Sequence, residues 1–88
     1  MVEKVVKVIN RSGIHTRPAA SIVKLASKFK SEIFLIRDKF AINGKSIIGV
    51  MTLAAEQGSE IKVRAEGPDE QEAIDEIVKL FESGFGEV

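Results

Sequence analysis

Residues 59–81 read Ser-Glu-Ile-Lys-Val-Arg-Ala-Glu-Gly-Pro-Asp-Glu-Gln-Glu-Ala-Ile-Asp-Glu-Ile-Val-Lys-Leu-Phe, and within them the hydrophobic period changes from that of a strand to that of a helix. Apolar and charged residues alternate from Ser59 to Glu66, which predicts a strand with one buried face. Gly-Pro-Asp at 67–69 ends the strand and begins a helix, which Gly84 ends. The predicted buried face of that helix consists of Ala73, Ile74, Ile77, Val78 and Phe81.

The same two periodicities mark the elements before this stretch. Strand and helix patterns follow one another along residues 1–58 in the order strand, helix, strand, strand, helix. Pro18 lies in the first turn of the first helix, where its missing N–H has no cost. The predicted strands span Val2 to Ile9, Glu32 to Arg37 and Phe40 to Asn43, and the predicted helices span Thr16 to Phe29 and Ile47 to Leu53.

The resulting order βαββαβα predicts a two-layer α+β fold. Asp38-Lys39 joins two strands as a tight hairpin, and each helix has a single apolar face. Such elements are buried best when the helices cover one side of a mostly antiparallel sheet. The chain has 88 residues and a mass of 9.6 kDa, and no linker or repeat divides it. We therefore expect residues 1–88 to form a single domain.

The outward side of the second predicted strand poses a separate question. Ile33 and Leu35 already supply a core face, so Phe34 and Ile36 point to the other side of the sheet. They are expected to be partly exposed to solvent or to cover another subunit or a partner. The sequence leaves both alternatives open.

Composition excludes several classes of chemistry. The chain contains no cysteine, which excludes disulfides, thiolate nucleophiles and cysteine-based metal or redox sites. It contains one histidine, which excludes a multi-histidine metal site. Any reaction must therefore use His15, a carboxylate, a lysine or a hydroxyl group.

The sequence also carries no sign of export or membrane insertion. No apolar run approaches the ~20 residues that a membrane-spanning helix needs. The opening residues Met-Val-Glu-Lys are not those of a signal peptide. We expect a cytoplasmic location.

Charge is unevenly distributed along the chain, although the formal net charge is zero. Residues 1–45 carry ten Lys or Arg and three Asp or Glu, and residues 46–88 carry three and ten. The two halves attract each other across one fold, or the basic half faces an acidic partner. The arithmetic alone favours neither alternative.

The sequence Gly-Ile-His-Thr-Arg-Pro-Ala at 13–19 follows a predicted strand and begins a predicted helix. The first N–H groups of a helix have no internal acceptor and carry partial positive charge, so a phosphate fits there well. A group attached to the His15 ring would lie beside the N–H groups of Thr16 and Arg17, and the Arg17 guanidinium would add a charge-assisted contact. Imidazole is nucleophilic when neutral, and the positive helix end favours that form. The motif predicts either a phosphoryl acceptor or an ordinary polar cap.

Ser46 stands before a second helix start, at the apolar run Ile-Ile-Gly-Val-Met. A serine at that position is first of all a helix N-cap, and a phosphate on it would meet free N–H groups. A short helix cannot bury every side, so some of Ile47, Ile48 and Met51 are expected to be exposed. Grouped apolar residues beside a nucleophile suggest a docking patch. The predicted core residues of this segment are Val50 and Leu53.

Taken together, these motifs resemble those of HPr, the histidine-containing phosphocarrier family of the bacterial phosphotransferase system. Residues 13–19 resemble the family's active-site signature, and residues 43–51 resemble its regulatory serine site. The resemblance covers nearly the whole chain in length, element order and the glycine-rich ending at 84–87. It implies an open-faced β-sandwich, in which three helices cover one face of a four-stranded antiparallel sheet. Thr16 stands where alanine is commoner in the family, and it keeps the backbone N–H.

The resemblance implies a role for each candidate residue. His15 resembles the residue that Enzyme I phosphorylates on Nδ1, and Arg17 resembles the residue that steadies the phosphoryl group. Ser46 resembles the serine that HPr kinase/phosphorylase modifies. Thr16 and the apolar patch are then expected to contribute to binding. The patch consists of Ile47, Ile48 and Met51.

The resemblance also implies the partners and the kind of activity. Phosphate passes from Enzyme I to the carrier and on to a sugar-specific IIA domain, and a catabolite-control transcription regulator is a further partner. The protein would be a stoichiometric carrier and not an enzyme. The transfer requires no cofactor, metal or nucleotide, and we expect a monomer that neither binds nucleic acid nor enters a membrane.

Other functions remain to be weighed against this one. An acylphosphatase-like enzyme needs a phosphate-cradling loop with an arginine and a nearby asparagine, whereas Arg11 and Arg17 occur without one. An RNA-recognition module needs aromatics on adjacent central strands, and Phe34 alone is insufficient. A metallochaperone of similar topology needs two cysteines. A nitrogen-regulatory relative of HPr would use the same histidine, and a small binding module without group transfer is the remaining alternative.

Overall fold

The alternating segments pair into one antiparallel sheet, and the amphipathic segments form helices that cover its apolar face. The computed structural model describes residues 1–87. Its strands are β1 (Val2–Lys7), β2 (Glu32–Arg37), β3 (Phe40–Asn43) and β4 (Glu60–Glu66). Its helices are α1 (Thr16–Ala26), α2 (Ile47–Thr52) and α3 (Glu70–Glu82), and a 3₁₀ turn (Gly84–Gly86) follows.

The strand order in the sheet is β1-β4-β2-β3, and every neighbouring pair is antiparallel. The alternating strand β4 therefore occupies a central position, and Val6 and Leu35 lie opposite its Ile61 and Val63. These inward-facing side chains are buried against the helices. The sequence-based prediction of an antiparallel sheet with helices on one face is confirmed.

The predicted core face of α3 is confirmed residue by residue. The helix begins after Asp69, whose carboxylate does not cap it but accepts hydrogen bonds from the backbone N–H groups of Lys30 and Ser31 at 2.9 Å. The Ser31 hydroxyl donates to the same carboxylate at 2.5 Å. Asp69 therefore ties the start of α3 to the segment that leads into β2.

Several predicted element ends are wrong by a few residues. Helix α1 ends at Ala26 and not at Phe29, because the N–H groups of Lys28 and Phe29 bond three residues back and tighten the chain. The Lys45 ammonium then donates to the Phe29 carbonyl at 2.7 Å. Strand β1 ends at Lys7 rather than Ile9, and β4 begins at Glu60.

One face of the sheet carries no helix. Phe34 and Ile36 lie on it, and both are partly exposed, in agreement with the sequence pattern. The hairpin between β2 and β3 turns at Asp38, whose φ of 54° is in the left-handed region. Of the helices within residues 1–87, none has the length and apolar character required to cross a membrane.

Candidate functional site

His15 is the N-cap of α1, as the sequence predicts. Its backbone is extended, with φ −92° and ψ −164°, and its carbonyl accepts the first helical hydrogen bond from Ala19 at 2.9 Å. The side chain makes no capping bond to the helix. The imidazole is therefore exposed beside a helix start whose N–H groups at Thr16 and Arg17 have no acceptor within the helix.

Gly13 fixes the loop that presents His15. Its φ of +71° suits glycine, and a Cβ added there would lie 2.5 Å from the Ala55 carbonyl oxygen. The adjacent N–H of Ile14 donates to that same oxygen at 2.8 Å. The His15 loop is thus held against the segment that follows α2.

Glu87 is a site residue that sequence reasoning missed. Its Oε2 lies 3.1 Å from His15 Nε2, and its Oε1 lies 3.4 Å from the same nitrogen. The two residues are 72 positions apart in the chain, so no local pattern relates them. A carboxylate accepts hydrogen bonds, so the Nε2 that faces it is the nitrogen that carries hydrogen in the neutral ring.

The end of the chain is folded back to reach His15. Gly84 and Gly86 adopt φ values of 64° and 73°, and Phe85 between them adopts 59°. The Phe85 ring packs edge-on against the buried Phe81 ring, with centroids 5.1 Å apart. The turns at Gly84 and Gly86, and the packing of Phe85 between them, therefore direct the Glu87 side chain towards the imidazole. In the sequence, the glycine-rich ending Gly-Phe-Gly-Glu at 84–87 is the one signal of a turn that precedes this contact.

Asn10 orients the Glu87 carboxylate from the other side. Its buried Nδ2 donates to the Gly13 carbonyl at 2.8 Å and to Glu87 Oε1 at 2.9 Å. The hydrogen bond from Asn10 lowers the pKa of Glu87, and the charges of His15 and Arg17 act in the same direction. The carboxylate is thereby kept ionised beside the ring.

Arg17 and Thr16 occupy the first turn of α1, and both are exposed. The Arg17 charge contributes to the lowered pKa of Glu87, so it acts on the carboxylate that contacts His15. Pro18, the third residue of the helix, is buried. The structure therefore brings His15 and the half-buried Glu87 into contact at the N-terminus of α1, where Arg17 occupies the first turn.

Ser46 is the N-cap of α2, as predicted. Its Oγ accepts a hydrogen bond from the Gly49 N–H at 3.2 Å, and its side chain is half-buried. Within residues 1–87 no hydrogen bond or ion pair joins Ser46 to His15. The two residues begin separate helices, and α1 packs against α2.

The apolar run after Ser46 divides between core and surface. Val50 and Leu53 are buried, and Ile48 is 75% exposed. Ile47 and Met51 are exposed as well, so all three candidate patch residues lie on the surface. The helix that carries this surface is followed by Ala55, whose carbonyl accepts a hydrogen bond from the Ile14 N–H in the His15 loop. The apolar surface and the His15 site are therefore connected by a short segment of chain.

The part of the chain that the structure describes contains no group of three histidine or carboxylate side chains arranged for a metal ion. The His15 imidazole is exposed, and its Nε2 is hydrogen-bonded to the Glu87 carboxylate. Its Nδ1 is left for reaction with a phosphoryl group. The first turn of α1 supplies the N–H groups of Thr16 and Arg17 and an arginine side chain, which are the kinds of donor that a phosphoryl group requires.

Known proteins of one family match this chain along nearly its whole length. Residues 2–83 match the family model described as PTS HPr component phosphorylation site. The chain is 53% identical to the phosphocarrier protein HPr of Treponema pallidum, with 99% of each chain covered. It is 46% identical to the HPr-like protein Crh of Halalkalibacterium halodurans, over 93% of this chain and 98% of that one. A crystal structure of HPr from Thermoanaerobacter tengcongensis superimposes with a TM-score of 0.96 at 48% identity, covering 100% of this chain and 99% of the other.

Proposed function

The chain belongs to the HPr family of phosphocarrier proteins, and from that premise we propose that His15 is the residue that carries its phosphoryl group. As a phosphocarrier it takes up and releases one phosphoryl group and is not itself an enzyme. The observation that carries the proposal is the hydrogen bond between His15 Nε2 and Glu87 at 3.1 Å. The names of the relatives favour this function over the nitrogen-regulatory alternative.

The hydrogen bond selects the nucleophilic nitrogen. With hydrogen on Nε2 and donated to Glu87, the lone pair of the neutral ring is on Nδ1. Nδ1 attacks the phosphorus of the donor, a nitrogen–phosphorus bond forms, and the bond from phosphorus to the donor breaks. The positive charge that the ring acquires lies next to the Glu87 carboxylate, which stabilises it. On delivery to an acceptor the same steps run in reverse.

The helix start and Arg17 hold the transferred group. The N–H groups of Thr16 and Arg17 lie in the first turn of the helix that His15 caps, and the partial positive charge of the helix end favours an anion there. The Arg17 guanidinium adds a charge that stabilises the oxygens of the phosphoryl group as it is transferred. The two N–H groups are positioned by the backbone before the donor arrives, so they require little reorganisation.

We propose Enzyme I as the donor and sugar-specific IIA domains as acceptors, in the cytoplasm. The exposed Ile47, Ile48 and Met51 provide an apolar surface on which a partner docks while its reacting group faces His15. Arg17, His15 and their neighbours come from one chain, so a monomer contains the whole transfer site.

Ser46 is proposed as a regulatory phosphorylation site, with HPr kinase/phosphorylase as the modifying enzyme and a catabolite-control transcription regulator as reader. Its cap position supports this proposal, because a phosphate there meets helix N–H groups and leaves the fold intact. The adjacent apolar patch would then carry about two added negative charges at its rim.

Mass spectrometry tests the acceptor directly. The wild-type chain is incubated with phosphoenolpyruvate and Enzyme I, and it is expected to gain one acid-labile phosphoryl group. His15→Ala is expected to gain none and to keep its fold, since His15 is exposed and its side chain makes no helix-capping bond. Full labelling of His15→Ala would refute the proposal.

A further inference from the structure

The end of α2 is held by a side chain that comes from the sheet. Arg37, the last residue of β2, donates from Nη1 to the Leu53 carbonyl at 2.9 Å and to the Ala54 carbonyl at 3.1 Å. Leu53 is the C-cap of α2, and Ala54 follows it. The last carbonyls of a helix have no partner within the helix and carry partial negative charge. An arginine that reaches this end therefore supplies both the missing donors and a favourable charge.

Ala54 adopts a backbone conformation that alanine disfavours. Its φ is 48°, in the left-handed region in which helices commonly end and which glycine usually occupies. Its N–H donates to the Met51 carbonyl at 3.2 Å, which closes the last turn of the helix. Because Ala54 is exposed, burial of its methyl group does not hold it in this conformation. The hydrogen bond that its carbonyl accepts from Arg37 does so instead.

Side-chain packing contributes little on the hairpin side of this helix end. An open cavity of about 390 Å³ lies between the β2–β3 hairpin and the end of α2, and Arg37, Phe40, Ile42 and Leu53 are among its walls. The Phe40 ring is exposed and does not close the cavity. The two hydrogen bonds of Arg37 therefore cross a space that apolar contacts do not fill, and no packing replaces them when they are lost.

The residue that follows this turn supports the His15 loop. Ala55 is buried, and its carbonyl accepts a hydrogen bond from the N–H of the buried Ile14 at 2.8 Å. Ile14 directly precedes His15. Gly13 lies so close to the same carbonyl that an added Cβ would be 2.5 Å from its oxygen. A change of the backbone at Ala54 would therefore move the acceptor on which the loop depends.

We propose that Arg37 is a positioning residue for phosphoryl transfer. Its two hydrogen bonds hold the end of α2 and, through Ala55, the loop that presents His15. The inference rests on the proposed function, in which a partner docks on the apolar patch of α2 while its reacting group faces His15. Only molecules with this turn closed present patch and imidazole together, so opening of the turn raises the KM for the carrier and leaves kcat at saturation unchanged.

Amide hydrogen exchange tests the positioning without any partner. Arg37→Met keeps a long side chain but has no donor, and it is expected to speed exchange of the Ile14 N–H by at least about tenfold. Val63 in the central strand β4 is buried, so its N–H reports global unfolding in the same sample. An Ile14 rate that rises only in proportion to that of Val63 would indicate a general loss of stability and would overturn the proposal. Arg37→Lys, with an ammonium in place of the planar guanidinium, is measured in case the methionine variant does not fold, and a smaller change of the same sign is expected.

Kinetics with Enzyme I test whether the held geometry matters for transfer. With Arg37→Met as the phosphoryl acceptor, the KM is expected to rise about threefold or more, while kcat stays within about twofold of the wild-type value. Arg64→Met is the matched control, because Arg64 is half-buried in the neighbouring strand and donates to Glu3 at 2.6 Å on the face without helices. The control is expected to change neither the KM nor the exchange of Ile14 relative to Val63. An equal rise of the KM in both variants would indicate a general charge effect and would contradict the assignment.

A glycine at position 54 gives the sharpest test. Glycine adopts a positive φ without the cost that alanine has, so Ala54→Gly is expected to keep the turn closed when the hydrogen bonds of Arg37 are gone. The double variant with Arg37→Met and Ala54→Gly is expected to recover most of the loss in Ile14 exchange and in KM. No recovery would overturn the proposal, because it would show that Arg37 does not act through this turn. A wild-type chain that accepts no phosphoryl group would refute the proposed function, whereas the exchange data decide separately whether Arg37 holds the loop.

Discussion

At the scale of single residues, the His15 site depends on one contact between distant parts of the chain. Sequence analysis places His15 and Ser46 at helix starts, and both positions are confirmed because caps are decided by neighbouring residues. Glu87 was missed because its contact spans 72 positions. Its place depends on how Phe85 packs on Phe81, which only the assembled core determines.

The role of Glu87 gives the first prediction. Glu87→Gln keeps the size of the side chain but offers His15 either an acceptor or a donor, so the ring is no longer held in one tautomer. Phosphoryl transfer is expected to slow by up to about tenfold, since a hydrogen bond to a charged group is typically worth ~1.5–3 kcal/mol and this one is partly exposed. The ¹⁵N shifts of the His15 ring are expected to show a larger share of Nδ1–H. Unchanged shifts together with an unchanged rate would show that the carboxylate has no positioning role.

At the scale of elements, α2 carries both the proposed docking patch and, at its N-cap, the proposed regulatory Ser46. Ser46→Asp is expected to keep or slightly raise the melting temperature, because a carboxylate at a helix start is favourable. Its phosphorylation by Enzyme I is expected to fall by at least tenfold, because the new charge lies at the rim of the patch proposed to dock the partner. Ser46→Ala serves as the control and should remain active. Equal rates in both variants would show that Ser46 is a cap alone.

The start of α3 gives a prediction for pH. Hydrogen bonds from the Ser31 side chain and from backbone N–H groups lower the pKa of Asp69 from 3.8 to about 2. Because the folded-state pKa is the lower one, the carboxylate stabilises the fold fully above pH 4, and this stabilisation is lost as pH falls towards 2. Asp69→Asn is expected to be less stable at neutral pH and to lose less stability between pH 4 and 2. This role would be contradicted if the free energies of unfolding of the wild type and Asp69→Asn fell equally between pH 4 and pH 2.

Element positions were largely predictable and element ends were less so. The periodicities at 59–66 and 70–81 identify β4 and α3 because their faces are sorted cleanly between core and solvent. The end of α1 was misplaced because Phe29 continues the apolar stripe, while the chain has already tightened after Ala26. The contact of Lys45 with the Phe29 carbonyl depends on tertiary packing, and no local pattern contains it.

At the scale of the whole molecule, the uneven charge bears on how partners meet. Lys24 in α1 and Lys28 just past its end are exposed, and both are candidates for steering acidic partners. Lys45 is a weaker candidate, because its ammonium donates a hydrogen bond to the Phe29 carbonyl at 2.7 Å. Association with Enzyme I is expected to slow as salt rises beyond ~0.1 M, where screening extends over roughly 10 Å. If the association rates measured by stopped flow do not depend on ionic strength, the charge of the chain does not contribute to its encounter with Enzyme I.

¹⁵N NMR of histidine-labelled protein distinguishes which ring nitrogen of His15 accepts the phosphoryl group. After incubation with phosphoenolpyruvate and Enzyme I, phosphorus is expected to couple to Nδ1 of His15, while Nε2 keeps its hydrogen towards Glu87. Phosphorus coupled to Nε2, or a phosphorylated protein whose His15 resonances are unchanged, would contradict this assignment.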